Sequence, residues 1–114
     1  YKKLTRNLPI SHLKIPKDDK SSVHLAVIKL DHKNEVSNRK VYSEMRNDNI
    51  GVQLHYRPVH LQPYYRRFGF KEGDFPQSET YGKIAISIPL YPGLSYSEQV
   101  RVVMSLSKSI EKKQ

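Results

Sequence analysis

Three short apolar runs, separated by stretches with helical signals, limit the folds available to this chain more than any other feature. SSVHLAVIKLD at 21–31 carries apolar residues on both alternating faces, which predicts a central strand covered on both sides. GVQLHYR at 51–57 alternates until Pro58, and IAISIPL at 84–90 places isoleucine at every second position. This order of strands and helices predicts an α/β (α+β) layer of about three mainly antiparallel strands with helices on one face.

The interval between the first two strands has the signals of a helix. Ser37 is placed to cap the first turn, and Val41 and Met45, four residues apart, form an apolar inner stripe. Asn49 is expected to end the helix in a left-handed conformation, because asparagine tolerates a positive φ better than most residues.

Three further helices are expected after the second strand. LQPYYRRFG at 61–69 predicts a short helix with proline in its first turn, and FPQSETYGK at 75–83 predicts another. Ser95 and Glu98 form a capping box that begins a final amphipathic helix. The stripe expected to face the core from that last helix comprises Val100, Val103, Leu106 or Ser107, and Ile110.

The size and composition of the chain fit one small domain and exclude several classes of protein. Its 114 residues contain no cysteine, which excludes disulfides, zinc–thiolate sites and thiol catalysis and fits a cytoplasmic protein. No apolar run approaches the roughly 18 residues of a membrane span, and the chain does not open on a signal peptide. We expect a linker at 1–20, extended or looped around Pro9 and Pro16, and a domain at 21–114.

The charge of the chain leaves open a second class of function. A formal charge of +9 is typical of proteins that bind a polyanion, such as nucleic acid, a membrane surface or a phosphorylated substrate. Many of the lysines lie near the two ends of the sequence, where a solvated terminus explains them equally well. A basic binding module is therefore an alternative to an enzyme.

The stretch at 51–70, GVQLHYRPVHLQPYYRRFGF, concentrates histidine, tyrosine, arginine and phenylalanine. His55 and His60 are five residues apart with no carboxylate between them, which fits neither the helical nor the strand spacing of metal ligands, so no metal is expected. The run from Arg67 does not match an RNA-recognition motif, because Phe68 stands where that motif has glycine. No nucleophile elbow or phosphate loop is present, so the motifs indicate no catalytic residue.

Most of the chain, roughly residues 21 to 106, resembles the C-terminal domain of the DegT/DnrJ/EryC1/StrS nucleotide-sugar aminotransferases. That family shows an H-Y-x-P-x-H run, then F-P-x-A/S-E, then a strand ending S-L/I-P-L-x-P-x-L. The positions of this sequence that match are His55, Tyr56, Pro58, His60, Phe75, Pro76, Ser78, Glu79, Ser87, Pro89, Leu90, Pro92 and Leu94. SSVHLAVIKL also resembles the S-S-x-H-L-Y strand of the family, with Ala26 in the place of an aromatic residue.

The resemblance implies that this chain is one part of a larger enzyme. Family members have the fold of the aspartate aminotransferases and bind pyridoxal 5′-phosphate (PLP) on a lysine of a large N-terminal domain. No lysine here matches that motif, so the resemblance implies that the chain holds neither the cofactor nor a catalytic residue. It implies a homodimer that moves an amino group, from glutamate, onto a keto sugar, and HLQPYYRRFGFKEGDFP is most similar to the pseudaminic-acid branch, which acts on a UDP-4-keto-6-deoxy-N-acetylhexosamine.

The resemblance also implies which residues contact the substrate. The loop after the second strand would face the sugar and the amino donor, and the residues expected there are His55, Tyr56, Arg57, Pro58, His60 and Tyr64. Imidazole and phenol groups can hydrogen-bond sugar hydroxyls, and a guanidinium group can bind a carboxylate or a diphosphate through two hydrogen bonds. Strand alternation places Tyr56 opposite His55 and Arg57, so both sets can line one pocket only if the strand ends near Tyr56.

Overall fold

A four-stranded antiparallel sheet organises the described part of the chain. The structure is a computed structural model that describes residues 1–31, 33 and 35–111. The strands are β1 (Ile10–His12), β2 (Ala26–Leu30), β3 (Gln53–Leu54) and β4 (Ala85–Ile88), and they lie in the order β1-β2-β4-β3. β4 is therefore an inner strand, although it comes last in the sequence.

Helices fill the intervals where the sequence predicted them. They are α1 (Asn38–Asn47), α2 (Pro63–Arg66), α3 (Pro76–Ile84) and α4 (Tyr96–Glu111), with a 3₁₀ turn at Val59–Leu61. Ser37 caps α1 by accepting a hydrogen bond from the Lys40 amide at 3.3 Å, and Asn49 has a φ of 60°. The capping box of α4 is present, because the Ser95 amide donates to Glu98 and the Glu98 amide donates to Ser95.

The core lies between the sheet and the two longest helices. Ile28 of β2 and Ile86 of β4 are paired across the sheet and are fully buried. They belong to one cluster with Val41 and Met45 of α1 and Leu106 of α4. The prediction of a mixed α/β domain with mainly antiparallel strands is confirmed. Within residues 1–31, 33 and 35–111, no helix is long and apolar enough to cross a membrane.

The sheet has four strands, where the sequence predicted about three. The expected linker at 1–20 supplies β1, which pairs with β2 through the register Ile10↔Leu30 and makes the sheet four-stranded. A strand of three residues beside two prolines gives almost no periodic signal. Two of the three predicted strands are clearly shorter than expected: regular pairing begins at Ala26 in the first and ends at Leu54 in the second.

The buried stripe of α4 also differs from the prediction. Val100 and Val103 are half-buried, and the residues that face the core are Val102, Ser105, Leu106, Ser109 and Ile110. The sequence pattern did not reveal this stripe, because two of its residues are serines and a search for apolar residues passes over them. The Ser109 hydroxyl is satisfied inside the helix, where it donates to the Ser105 carbonyl at 2.7 Å.

Candidate substrate-binding cleft

A cleft of about 470 Å³ lies where the start of α1, the loop after β3 and one side of α3 meet. β3 ends at Leu54, so the strict alternation of a strand does not continue into the loop, and Tyr56 and Arg57 both line the cleft. The peptide bond between His55 and Tyr56 is cis. The lining residues are Ser37, Asn38, Arg39, Leu54, Tyr56, Arg57, Pro58, Leu61, Glu72, Glu79, Gly82 and Lys83.

The two histidines of the HYRPVH loop do not line this cleft. His55 is buried, and its Nε2 atom lies 2.7 Å from the hydroxyl oxygen of Ser87 on β4. His60 is also buried, and its Nε2 atom lies 2.8 Å from Oε1 of Glu79 on α3. The loop is thus attached to the sheet at one end and to a helix at the other, and Tyr56, Arg57 and Pro58 between the attachments face the cleft.

Glu79 is the buried carboxylate that holds this region together. Its Oε1 atom accepts hydrogen bonds from His60, from the Gly73 amide at 2.8 Å and from the Phe75 amide at 3.4 Å. The ring of His60 also packs edge-on against Phe75, with ring centroids 4.9 Å apart. One oxygen atom therefore connects the loop after β3 with the segment that precedes α3.

The pKa of Glu79 reflects two opposing effects. Removal from water raises it, because burial penalises the charged form. The hydrogen bonds from His60 and from the Gly73 and Phe75 amides, together with the charge of His60, favour the carboxylate and bring the pKa below its ordinary value. Because an ionised carboxylate only accepts hydrogen bonds, Nε2 of His60 must carry the proton that they share.

Gly82 and Asn38 bring the three walls of the cleft together. An ideal Cβ atom at Gly82 would lie 2.9 Å from the Tyr56 carbonyl oxygen and 3.0 Å from Cδ of Pro58, so only glycine permits this approach. The buried amide of Asn38, at the start of α1, donates to the Gly82 carbonyl at 3.0 Å and to the Ala85 carbonyl at 2.8 Å. α1, α3 and the loop after β3 therefore meet at one junction.

The polar groups that face the cleft suit an anionic or hydroxyl-rich ligand. Arg57 and Arg39 are exposed, and Lys83 forms an ion pair with Glu72 at 3.7 Å. Tyr56 is 69% exposed, which leaves its hydroxyl group accessible. Guanidinium groups bind carboxylates and phosphates through paired hydrogen bonds, and a phenol group both donates and accepts.

Tyr64 does not line the cleft. It lies on α2, is 56% exposed and packs edge-on against Phe68, with ring centroids 5.4 Å apart. The Arg67 guanidinium carbon sits 4.7 Å from the centroid of the Tyr64 ring. The structure therefore brings Tyr56, Arg57 and Pro58 together and leaves Tyr64 on a separate aromatic surface.

Neither a metal nor the cofactor that the resemblance implies finds a ready site in this cleft. Across the described ranges, no group of three or more metal-ligating side chains comes together. A lysine that carries a cofactor as an imine has its amine desolvated or next to another cation. Lys83, the lysine that lines the cleft, is exposed and paired with Glu72, so it does not meet this condition.

Sequence reasoning gave Glu79 no role of its own and missed Gly82, Asn38, Arg39 and Lys83. Glu79 stands in the F-P-x-S-E motif, five positions from Asp74, and that motif was the only signal that could have identified it. Gly82 and Asn38 act through contacts with distant elements, which no local pattern reveals.

The fold and the cleft define a small antiparallel α+β domain whose site is built on a loop between a strand and a helix. The sequence model of the DegT/DnrJ/EryC1/StrS aminotransferase family matches residues 1–107. The chain belongs to this family.

Curated relatives are more similar in sequence to this chain than the solved structures described below, but they match over only a small part of their own length. The spore coat polysaccharide biosynthesis protein SpsC of Bacillus subtilis is 40% identical over 81 residues, which are 68% of this chain and 21% of SpsC. An uncharacterised protein of Methanocaldococcus jannaschii, MJ1066, is 36% identical over 77 residues, which are 67% of this chain and 20% of that protein. The chain thus spans about a fifth of the length of these relatives.

Solved structures share the fold over nearly the whole chain. The putative sugar aminotransferase Spr1654 of Streptococcus pneumoniae, in its PMP form, has a TM-score of 0.85 at 21% identity and covers 96% of this chain and 28% of its own. Helicobacter pylori PseC, described as an aminotransferase involved in the biosynthesis of pseudoaminic acid, has a TM-score of 0.83 at 22% identity, covering 96% of this chain and 30% of its own.

Proposed function

We propose that this chain is the C-terminal part of a PLP-dependent sugar aminotransferase that acts in surface-glycan or flagellin-sugar biosynthesis. The whole enzyme would transfer an amino group, from glutamate, to a UDP-linked 4-keto-6-deoxy sugar. Membership of the aminotransferase family and the 40% identity to a spore coat polysaccharide protein support this proposal. The similarity of HLQPYYRRFGFKEGDFP to the pseudaminic-acid branch supports the choice of sugar.

The work in such an enzyme would be divided between two parts. PLP, when bound, supplies the electron sink for amino transfer. We assign its attachment to a large N-terminal domain that residues 1–20 connect to the domain at 21–114, so that this chain alone is inactive. In a cytoplasmic homodimer, the cleft beside α3 would contribute one wall of the substrate pocket.

Tyr56, Arg57 and Pro58 would form the substrate-contacting part of that wall. Their convergence on one cleft, in a chain of this family, is the observation that carries the proposal. Arg57 would bind the donor carboxylate or the nucleotide diphosphate, Tyr56 would hydrogen-bond a sugar hydroxyl, and Pro58 would supply an apolar contact. Tyr64 would contact only the periphery of the substrate, because Tyr64 lies on the separate α2 surface.

Arg57→Ala and Arg57→Lys in the full-length protein test this assignment. With glutamate and UDP-4-keto-6-deoxy-N-acetylhexosamine as substrates, Arg57→Ala should reduce kcat/KM by about 10- to 100-fold, as expected for the loss of charge-assisted hydrogen bonds. Arg57→Lys should restore only part of it, because lysine cannot form the paired contact. Arg46→Ala, at an exposed position on α1, is the matched control and should match the wild type. Equal rates in all variants would remove Arg57 from the site.

The alternative of a basic binding module gives a different result in solution. It requires affinity for generic RNA or DNA that falls steeply with added salt, because binding releases counterions from the phosphates. The charge of +9 favours such binding, and fluorescence anisotropy with a labelled oligonucleotide at several salt concentrations measures it. We expect no binding near physiological salt.

A further inference from the structure

Two residues of α3, Glu79 and Gly82, lie directly behind the loop that lines the cleft. Glu79 and Gly82 are three residues apart and therefore share one face of the helix. Gly82 lies so near the loop that an added Cβ atom would meet the Tyr56 carbonyl and Pro58, and Glu79 accepts a hydrogen bond from His60. The segment from Tyr56 to His60 is thus supported at both ends by the same helical face.

We propose that His60 and Glu79 are positioning residues that hold the Tyr56–Pro58 wall of the cleft in place. In its bearing on the substrate, this inference rests on the proposed function. A side chain that hydrogen-bonds the substrate must present a free polar atom to the cleft. Nε2 of His60 instead lies 2.8 Å from Glu79 in a buried pair. His60 would therefore affect binding through the loop that it anchors, without touching the substrate.

The geometry also explains why the anchor has to be a carboxylate or its amide. Oε1 of Glu79 accepts from the Gly73 and Phe75 amides as well as from His60, so one atom fixes both segments. Removing it would leave the buried His60 ring without a partner, which structures rarely tolerate, and would also release the part-buried Gly73 and Phe75 amides. Glutamine keeps an oxygen at the same position and should keep the loop attached.

Substitutions at Glu79 and at His60 distinguish the attachment of the loop from the attachment of the segment at 73–75. Glu79→Ala releases both the loop and the segment at 73–75. His60→Ala releases only the loop, because the hydrogen bonds from Gly73 and Phe75 to Glu79 remain. Glu79→Gln and His60→Gln are the conservative variants, and each retains a polar atom near the position of the lost one.

Amide hydrogen exchange in the full-length protein measures the position of the loop without reference to activity. The Leu61 amide bonds to the Pro58 carbonyl and the Gln62 amide to the Val59 carbonyl, both at 3.0 Å, and these report on the anchored loop. We expect His60→Ala and Glu79→Ala to speed exchange across 56–62 on the order of tenfold, and Glu79→Gln to restore the slow rate. Should His60→Ala leave this exchange unchanged, the positioning role is overturned whatever the enzyme does.

Kinetics with the nucleotide sugar then connects the loop to the cleft. His60→Ala should raise KM on the order of tenfold and change kcat much less, because a displaced wall weakens substrate binding. The same change added to Arg57→Ala should have little further effect, because the two residues act through one wall. A full additional loss in the double variant, or an unchanged KM in the single one, would overturn the connection to the substrate.

A matched control separates positioning from general loss of stability. Glu98→Ala removes another carboxylate that accepts a backbone hydrogen bond, from the Ser95 amide at 2.7 Å, in the capping box of α4. It should destabilise the protein without changing exchange at 56–62. If the full-length protein transfers no amino group to the nucleotide sugar, the proposed function fails, whereas wild-type kinetics of Arg57→Ala would remove only Arg57 from the site. In either case the exchange experiment still decides whether the pair positions the loop.

Discussion

Gly82 of α3 and the Tyr56 carbonyl oxygen are so close that a Cβ atom on Gly82 would lie 2.9 Å from that oxygen. The contact partner is backbone, so it cannot rotate away as a side chain would. Gly82→Ala should therefore push the loop away from α3 and lower the free energy of unfolding by about 1–3 kcal/mol. Thermal unfolding followed by circular dichroism measures the change.

Gly51 provides the matched control for this substitution. A Cβ atom there would meet nothing within 4 Å, and its φ lies outside the left-handed region. Gly51→Ala should be neutral, or stabilise the fold by up to about 1 kcal/mol, by restricting the unfolded chain. Equal destabilisation by both substitutions would show that the approach of the loop to Gly82 does not limit that position.

The two methionines of the chain occupy opposite environments. Met45 is fully buried in the core cluster, and Met104 is 67% exposed. Met45→Ala should lower the free energy of unfolding by about 2–5 kcal/mol, because it leaves a cavity under α1. Met104→Ala should change it by less than about 0.5 kcal/mol. Chemical denaturation of both variants measures the contrast, and comparable effects would place Met45 outside the core.

Asn38 joins α1 to the end of α3 through the two hydrogen bonds of its side-chain amide. Asn38→Ala would leave the Gly82 and Ala85 carbonyls without this donor, and we expect a loss of about 1–3 kcal/mol. Asn47→Ala, at an exposed position in the same helix, is the control and should lie close to the wild type. An Asn38→Ala variant as stable as Asn47→Ala would show that these carbonyls find other donors.

The stability contributed by the charge of Glu79 should depend on pH. Burial raises the pKa of Glu79, but the hydrogen bonds from His60, Gly73 and Phe75 outweigh that effect and bring the folded-state pKa below its ordinary value. A group with a depressed folded pKa stabilises the fold above its unfolded pKa and loses that contribution as the pH falls through the folded value. The difference in Tm between wild type and Glu79→Gln should therefore hold from about pH 7 to about pH 5 and narrow from there to about pH 3. A constant difference over that range would contradict the assignment.

The helical part of the fold could be predicted because its signals are local. Ser37 caps α1, Met45 faces the core four residues beyond Val41, and Ser95 begins α4, all within a few residues of the pattern that identified them. Such signals depend on hydrogen bonds and side-chain spacing inside one helix, so they survive without knowledge of the tertiary structure.

The strands and the buried face of α4 depended on contacts that the sequence does not display. β1 is recognisable only by its pairing with β2, and the run at 51–57 pairs with β4 only at Gln53 and Leu54. Ser105 and Ser109 are buried although they are polar, since hydrogen bonds satisfy their hydroxyl groups. For β1, β3 and Ser105 a tertiary contact outweighed the local pattern, whereas Ser109 is satisfied within its own helix.

The candidate site divides in the same way. The aromatic and basic character of the HYRPVH loop identified Tyr56, Arg57 and Pro58, which line the cleft. A role for His55 and His60 in substrate binding stays a prediction, and both are buried against distant partners. A histidine in a sequence gives no indication of whether its ring faces a ligand or a carboxylate 19 residues away.

The inner position of β4 in the sheet has a consequence for the chain during its synthesis. A ribosome delivers the amino end first, so β2 and β3 emerge before Ala85–Ile88, the strand to which both bind. Until then each presents an unpaired edge of amide and carbonyl groups, the kind of surface on which nascent polypeptides aggregate. Synthesis stalled just before Ala85 would thus produce the form of this protein most in need of a chaperone.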